Sequence, residues 1–231
     1  MAMKITPLRV LRSGAVPESA VPPLADGTVA LWLMRAAQDD DAHRLLDAEE
    51  RRRWKALVRE DDRTRYLAAH GGLRRLLGRY LGIRAHEVAF VREACPCCGG
   101  PHGRPAVRGG GVHFSLSHSR DLVFFGFAST PVGVDIEAYP QAEVSDSVAE
   151  DLHPLERGEF ALLPPETRSA AFTRCWARKE AYLKGTGEGL AGGLGRTYVG
   201  MGPEPAAVPG WSLTDVGAAP GFAAAVAVSQ Q

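Results

Sequence analysis

Two acidic segments in the second half of the chain hold the residues best suited to chemistry. They are Gly133-Val134-Asp135-Ile136-Glu137 and Trp176-Ala177-Arg178-Lys179-Glu180-Ala181-Tyr182-Leu183-Lys184. Alternation in the first predicts a strand with Asp135 and Glu137 on one face. The second reads as a helix on which Glu180 and Lys184, four apart, share a face. Three carboxylates and a lysine converging from two rigid elements suit a divalent cation bound to a phosphorylated substrate. A hard cation such as Mg²⁺ requires oxygen ligands and usually takes some of them from phosphates. Each piece also has an inert reading. Asp135 and Glu137 alone are equally two solvent-facing acids on an edge strand, and Glu180–Lys184 an exposed pair contributing about 0.2–0.5 kcal/mol. Context favours the site: the acids close a run of strands, and Trp176 and Leu183 give the helix a buried side that fixes where Glu180 and Lys184 project. The combination reads as a Mg²⁺-dependent transferase acting on a pyrophosphate-containing donor.

Other segments offer supporting groups. Phe114-Ser115-Leu116-Ser117-His118-Ser119 ends a strand, so His118 can donate to a phosphate oxygen or serve as an ordinary turn residue. A serine hydrolase is disfavoured because no G-x-S-x-G elbow is present. Cys95, Cys98 and His102 present three candidate zinc ligands, with Cys97 or Cys175 as a fourth. A reduced, thiol-containing loop is the preferred reading there. Arginines crowd residues 44–79, and most are expected to pair with Glu49, Glu50, Glu60, Asp61 and Asp62. Arg51 and Arg65 are the candidates to face the donor, since a guanidinium fork suits phosphate.

These groups need elements to position them. The 231 residues suffice for one large or two small domains, and the formal net charge of zero gives no global case for nucleic acid or membrane binding. The N-terminus lacks a secretion-signal pattern, and no apolar run is long enough to span a membrane. Four cysteines, three of them at 95–98, do not form a secreted disulfide framework, so a reduced, cytoplasmic protein is expected.

Residues 1–27 are expected to be an irregular lead-in. Thr28–Leu33 reads as a strand, Asp41–Val58 as one helix, Asp61–Leu81 as a second, and Val88–Val91 as a short strand. Residues 94–111 are a loop by composition. Strands follow at Val112–Ser117, Asp121–Phe127 and Val132–Glu137, with a mobile polar loop at 139–150. Helices are expected at Pro154–Leu163 and Glu166–Lys184, stopped by glycines. A short strand is expected within 190–200, then a hairpin from Trp211–Val216 to Phe222–Val228. This mixed order favours α+β over a doubly wound sheet. An N-terminal half, 28–128, and a C-terminal half, 129–231, divide it. The Gly109-Gly110-Gly111 run leads into a strand, which argues against phosphate-binding and dinucleotide loops.

Together these motifs resemble the Sfp-type 4'-phosphopantetheinyl transferases, which load acyl or peptidyl carrier proteins. Gly103-Arg104-Pro105 looks like the family's Gly-Lys/Arg-Pro motif, Phe114–Ser119 like its Ser-x-Ser-His segment, and Gly133–Glu137 and Trp176–Lys184 like its two signatures. The resemblance implies a fold of two similar halves, related by a pseudo-twofold axis, enclosing coenzyme A. It implies Asp135, Glu137 and Glu180 as Mg²⁺ ligands, with Mn²⁺ able to substitute. Glu180 and Lys184 would be the catalytic pair, and Lys184, His118, Arg65, Arg51 and Arg104 the coenzyme A contacts, Arg51 being the looser placement. The implied reaction moves 4'-phosphopantetheine from coenzyme A to a serine of an apo acyl, peptidyl or polyketide carrier, releasing adenosine 3',5'-bisphosphate. A monomer suffices when both halves lie in one chain. Two other readings remain: a Mg²⁺-dependent pyrophosphohydrolase acting on coenzyme A or a related nucleotide, and a non-catalytic coenzyme A or carrier-protein scaffold.

Overall fold

Two β-sheets pack face to face, and each carries a long helix on its outer side. The computed structural model describes residues 3–15, 21–140, 148–189 and 193–230. The first sheet contains β1 (Lys4–Ile5), β2 (Arg9–Arg12) and β3 (Thr28–Arg35). Helices α1 (Ala42–Leu45), α2 (Ala48–Ala56) and α3 (Glu60–Leu81) follow. A small hairpin, β4 (Phe90–Arg92) with β5 (Pro105–Val107), precedes β6 (His113–Ser119) and β7 (Leu122–Ala128). Then come β8 (Val132–Ala138), α4 (Pro154–Leu162), α5 (Pro165–Thr186), β9 (Trp211–Val216) and β10 (Phe222–Ser229). The first sheet runs β1-β3-β7-β6 with β2 also on β3, and the second runs β8-β10-β9. The architecture is α+β. Among the described residues no helix is long and apolar enough to cross a membrane.

Period-2 alternation builds the layers. On β3, Ala30, Trp32 and Met34 join the core beneath α3, where Leu73, Leu76 and Leu77 meet Phe125 and Phe127. The alternate residues Val29, Leu31 and Leu33 pack with Phe124 against Val134, Ile136, Val226 and Val228 of the second sheet. The other face of β10 presents Ala225 and Ala227 to Ala177 and Ala181 of α5. Small side chains on both surfaces let α5 lie close to its sheet.

The structure departs from the sequence reading at several places. The lead-in is not irregular: β1 and β2 pair parallel with β3, Lys4 opposite Thr28 and Arg9 opposite Trp32. Both runs are too short to show alternation, and the template strand β3 supplies their partners. The single helix expected at Asp41–Val58 breaks at Leu46–Asp47. Asp47 caps α2 through a reciprocal capping box with Glu50, a D-x-x-E signal that was present in the sequence. The strand expected at Val88–Val91 is displaced to Phe90–Arg92, and the loop 94–111 contains β5. No strand forms among residues 193–200, and residues 190–192 lie outside the described residues. The expectation of a mobile loop falls mostly on 141–147, also outside them.

Candidate functional site

The acidic strand does present both carboxylates on one face. Val134 and Ile136 point into the interface between sheets, which turns Asp135 and Glu137 toward α5. Helix α5 can approach because residue 133 is glycine: a Cβ there would lie 1.9 Å from the Ala181 carbonyl oxygen. That contact sets Glu180 and Lys184 beside β8. Lys184 Nζ donates to Asp135 Oδ1 at 2.6 Å and to Ser117 Oγ at 3.0 Å.

Strand β6 is the third side of the site. It is the edge of one sheet and β8 the edge of the other, and serine hydroxyls join them in place of a backbone ladder. Ser115 Oγ accepts from the Val134 N–H at 3.0 Å, and Ser117 Oγ donates to Asp135 Oδ1 at 2.7 Å. Ser119 Oγ accepts from the Ala138 N–H at 3.0 Å and donates to Glu137 Oε2 at 2.9 Å. Alternate serines on one strand thus hold the acidic strand in register across the seam.

A cavity of about 270 Å³ opens here, lined by Asp135, Glu137, Glu180, Lys184, His118 and, from α3, Tyr66 and His70. Its electrostatics are unbalanced. Burial and the neighbouring Asp135 charge push Glu137 up to about 7. Burial also raises Glu180, against the lowering effect of Lys184. Desolvation and the Arg65 guanidinium hold His118 below its ordinary value. Asp135 is 1% exposed, yet its Oδ2 has no hydrogen-bond partner, and neither has the buried Tyr66 hydroxyl. A buried carboxylate oxygen without a donor is costly unless a cation meets it. The donor set is all oxygen, so Asp135, Glu137 and Glu180 could hold a hard divalent cation.

A second cavity of about 440 Å³ adjoins the first and shares His70 and Leu116 with it. Phe90, Phe114, Pro101 and Pro105 give it flat apolar walls. Asp47, Glu49 and Glu50 also line it, but Arg74 pairs with the first and last and Arg53 with Glu49, which leaves Arg92 and Arg108 as its positive groups. Such a chamber can take a planar ring bearing phosphate.

The residues singled out in the sequence separate here into two groups. Asp135, Glu137, Glu180, Lys184 and His118 line the first cavity. Arg65 stands near His118, with one guanidinium nitrogen on the Arg120 carbonyl at 3.0 Å and another paired with Asp62. Arg51 and Arg104 are not brought there. Arg51 Nη1 binds the Leu46 carbonyl at 2.6 Å, closing the break before α2. Arg104 pairs with Glu93 at 2.6 Å and reaches the Gly185 carbonyl at 2.7 Å, lining a separate cavity beside Trp211. Their own neighbours captured both guanidinium groups. Arg53, Arg92 and Arg108 were not distinguished from the surrounding arginines, because nothing local marks them. Tyr66 and His70 carried a usable signal: an aromatic pair at i, i+4 on α3, stacked with centroids 3.9 Å apart.

Within the second signature, Arg178 and Lys179 belong to the scaffold. Arg178 is fully buried on Asp215 and on the carbonyls of Gly200 and Pro203. Lys179 pairs with Glu156 at 2.6 Å and binds the carbonyls of Leu194 and Thr197. In the cysteine loop, the ligand atoms of Cys95, Cys98 and His102 lie within 4.8 Å of one another. Cys175 is no fourth ligand for it, being buried with Phe160 and Phe172 in the core around α4 and α5.

Comparison with known proteins agrees with this geometry. Residues 131–206, which contain both signatures, match the model of the 4'-phosphopantetheinyl transferase superfamily. The chain is 32% identical over 220 residues to the 4'-phosphopantetheinyl transferase HetI of Nostoc sp., covering 89% of this chain and 90% of that protein. It is 30% identical over 135 residues to the 4'-phosphopantetheinyl transferase psf-1 of Bacillus pumilus, covering 58% and 54%. A phosphopantetheinyl transferase of Thraustochytrium sp. is 32% identical over 198 residues, covering 76% and 65%.

Proposed function

Because this chain belongs to the 4'-phosphopantetheinyl transferase superfamily, we propose that it transfers 4'-phosphopantetheine from coenzyme A to a serine of an apo carrier protein, releasing adenosine 3',5'-bisphosphate. The observation that carries this reading is the unpartnered Asp135 Oδ2, set among Glu137, Glu180 and Lys184 at the seam between the sheets. In this proposal the two halves, divided near residues 128 and 129, are related by a pseudo-twofold axis and share the donor between them. Their likeness in plan supports it: each packs a 22-residue helix, ending at a left-handed glycine (Gly82 and Gly187), on its own sheet.

Asp135, Glu137 and Glu180 hold the cation in this reading, Mg²⁺ with Mn²⁺ as substitute. The bound cation offsets negative charge on the transferring and leaving oxygens. Lys184 brings an ammonium to the same oxygens, and His118 donates to the donor phosphate. The adjoining chamber, with Phe90, Phe114, Arg92 and Arg108, takes the adenine and 3'-phosphate end. Arg65, held by Asp62 and the Arg120 carbonyl, keeps its positive charge near the phosphate side, whereas Arg51 and Arg104 act on the scaffold. The carrier serine oxygen attacks the phosphorus bearing the pantetheine arm as the bond to the nucleotide phosphate oxygen breaks. Its proton passes to Glu180, which lines the same cavity as Lys184. Small acidic carrier domains are the proposed partners, met in the cytoplasm by a monomer.

Intact mass of apo carrier proteins, incubated with this protein, coenzyme A and Mg²⁺, tests the reading. The expected result is a gain of one phosphopantetheine, abolished by chelator. Cleavage of coenzyme A without modification of any carrier would replace transfer by hydrolysis, and binding without either would leave a scaffold.

A further inference from the structure

The loop between β4 and β5 folds without an apolar core of its own: no described residue from 95 to 102 joins a hydrophobic cluster. What it holds in common is a set of ligating atoms. Cys95 Sγ, Cys98 Sγ and His102 Nε2 lie within 4.8 Å of one another, and the last two are 3.0 Å apart. The backbone is wound to keep them there. The Gly99 N–H donates to the Cys95 carbonyl at 2.7 Å, and the Cys95 N–H donates to the Gly100 carbonyl at 2.7 Å. Gly99 sits at φ +72°, which a glycine adopts without strain. The N–H groups of Cys97 and Cys98 both aim at Cys95 Sγ.

The clearest sign is the space at Gly100. A Cβ on that residue would stand 3.0 Å from His102 Cδ2 and 3.3 Å from Cys98 Sγ, so any side chain would crowd the gap between two of the ligands. Tetrahedral zinc, at about 2.3 Å from sulfur and about 2.0 Å from nitrogen, separates its ligands by roughly 3.5–3.8 Å. The 3.0 Å between Cys98 Sγ and His102 Nε2 is slightly below that range, and every separation in the set is at most 4.8 Å. Cys98 and His102 are exposed, so an ion has a direct path from solvent.

We infer that this loop binds one thiophilic divalent cation of the zinc class through Cys95, Cys98 and His102, with water in the fourth position. The two thiols lose their protons to solvent, and the thiolates and neutral imidazole donate electron pairs to the metal. Cys97, exposed and outside the cluster, is not a ligand. The site is distinct from the oxygen-lined cavity in chemistry: soft sulfur and nitrogen here, hard carboxylates there. Its effect is structural, since Pro101 and Pro105, on either side of His102, form part of the wall of the 440 Å³ chamber.

Titration of reduced, metal-free protein with Co²⁺ tests the site without reference to catalysis. A thiolate-to-cobalt absorption should saturate at one equivalent and be displaced by zinc. Cys98→Ser should abolish it and His102→Ala should weaken binding by at least about 10-fold. Cys97→Ser should leave it unchanged, and circular dichroism should report all three variants as folded. No charge-transfer band in the reduced parent protein would overturn the site. Loss of the band in Cys97→Ser, or its survival in Cys98→Ser, would overturn the ligand set.

Discussion

Glu50 and Glu137 are both substantially buried carboxylates whose cavities meet at His70, and their protonation is pushed in opposite directions. Burial opposes ionisation of Glu50, but hydrogen bonds from His70 and Arg74 outweigh it and hold the group at about 2. Arg74, itself fully buried, reaches Glu50 at 2.6 Å and Asp47 at 2.9 Å, and the Val88 carbonyl takes a third donor. Glu137 has burial and the Asp135 charge against it, with only Ser119 and the more distant Lys184 in its favour, and rises to about 7. The difference is one of donors. A carboxylate surrounded by them belongs to the scaffold, and one crowded among its own kind is left unsatisfied. Helix α5 repeats the contrast five residues apart: Lys179 is enclosed by Glu156 and two carbonyls, while Lys184 remains partly open to the cavity.

The largest effect expected from this contrast is on chemistry. Asp135→Ala should reduce carrier modification by on the order of 10³-fold while circular dichroism still reports a folded protein. Activity near the parent level, read by intact mass, would remove the acidic cluster from the reaction. Next in size is the scaffold. Arg74→Ala leaves Glu50 and Asp47 facing one another without their guanidinium and should cost about 3–5 kcal/mol in urea unfolding. A loss under about 1 kcal/mol would mean that the pairing does not hold α2 on α3.

The smallest effect is the sharpest discriminator, because its sign differs between the two groups. Glu50, depressed to about 2, contributes stability that is complete above about 4.5 and is lost as pH falls toward 2. Glu137, raised to about 7, binds a proton more tightly when folded, so stability is lost as pH rises from about 4.5 through 7. In chelator at pH 8, Glu137→Gln should therefore raise the melting temperature and Glu50→Gln should lower it. At pH 4 the gain from Glu137→Gln should vanish. A shift of the same sign in both variants at pH 8 would collapse the distinction.

Much of this was legible along the chain. Alternation placed Asp135 and Glu137 on one side of β8, and the i, i+4 spacing placed Glu180 and Lys184 together on α5. The Asp47–Glu50 capping box was equally local, but the apolar and charged pattern across it favoured one continuous helix. The opening strands escaped notice for a different reason. Arg9–Arg12 becomes a strand only because β3 offers it an edge, and that pairing lies outside any local window. Arg51, Arg53, Arg104 and Arg108 are alike as letters. Arg53 has its partner Glu49 at i, i+4, but the Leu46 carbonyl, Glu93 with Gly185, and the chamber wall distinguish the other three only in space.

The sequence by itself determined which residues can ligate and which face of its strand or helix each occupies. These are properties of backbone period and side-chain chemistry, and they need no distant partner. Only the tertiary structure decided which charges are neutralised. Asp135 meets Ser117 and Lys184 across 18 and 49 residues of chain, while its Oδ2 is left without a donor. Whether a carboxylate is satisfied depends on desolvation and on donors delivered by other elements, and both come into being only when the sheets close on one another.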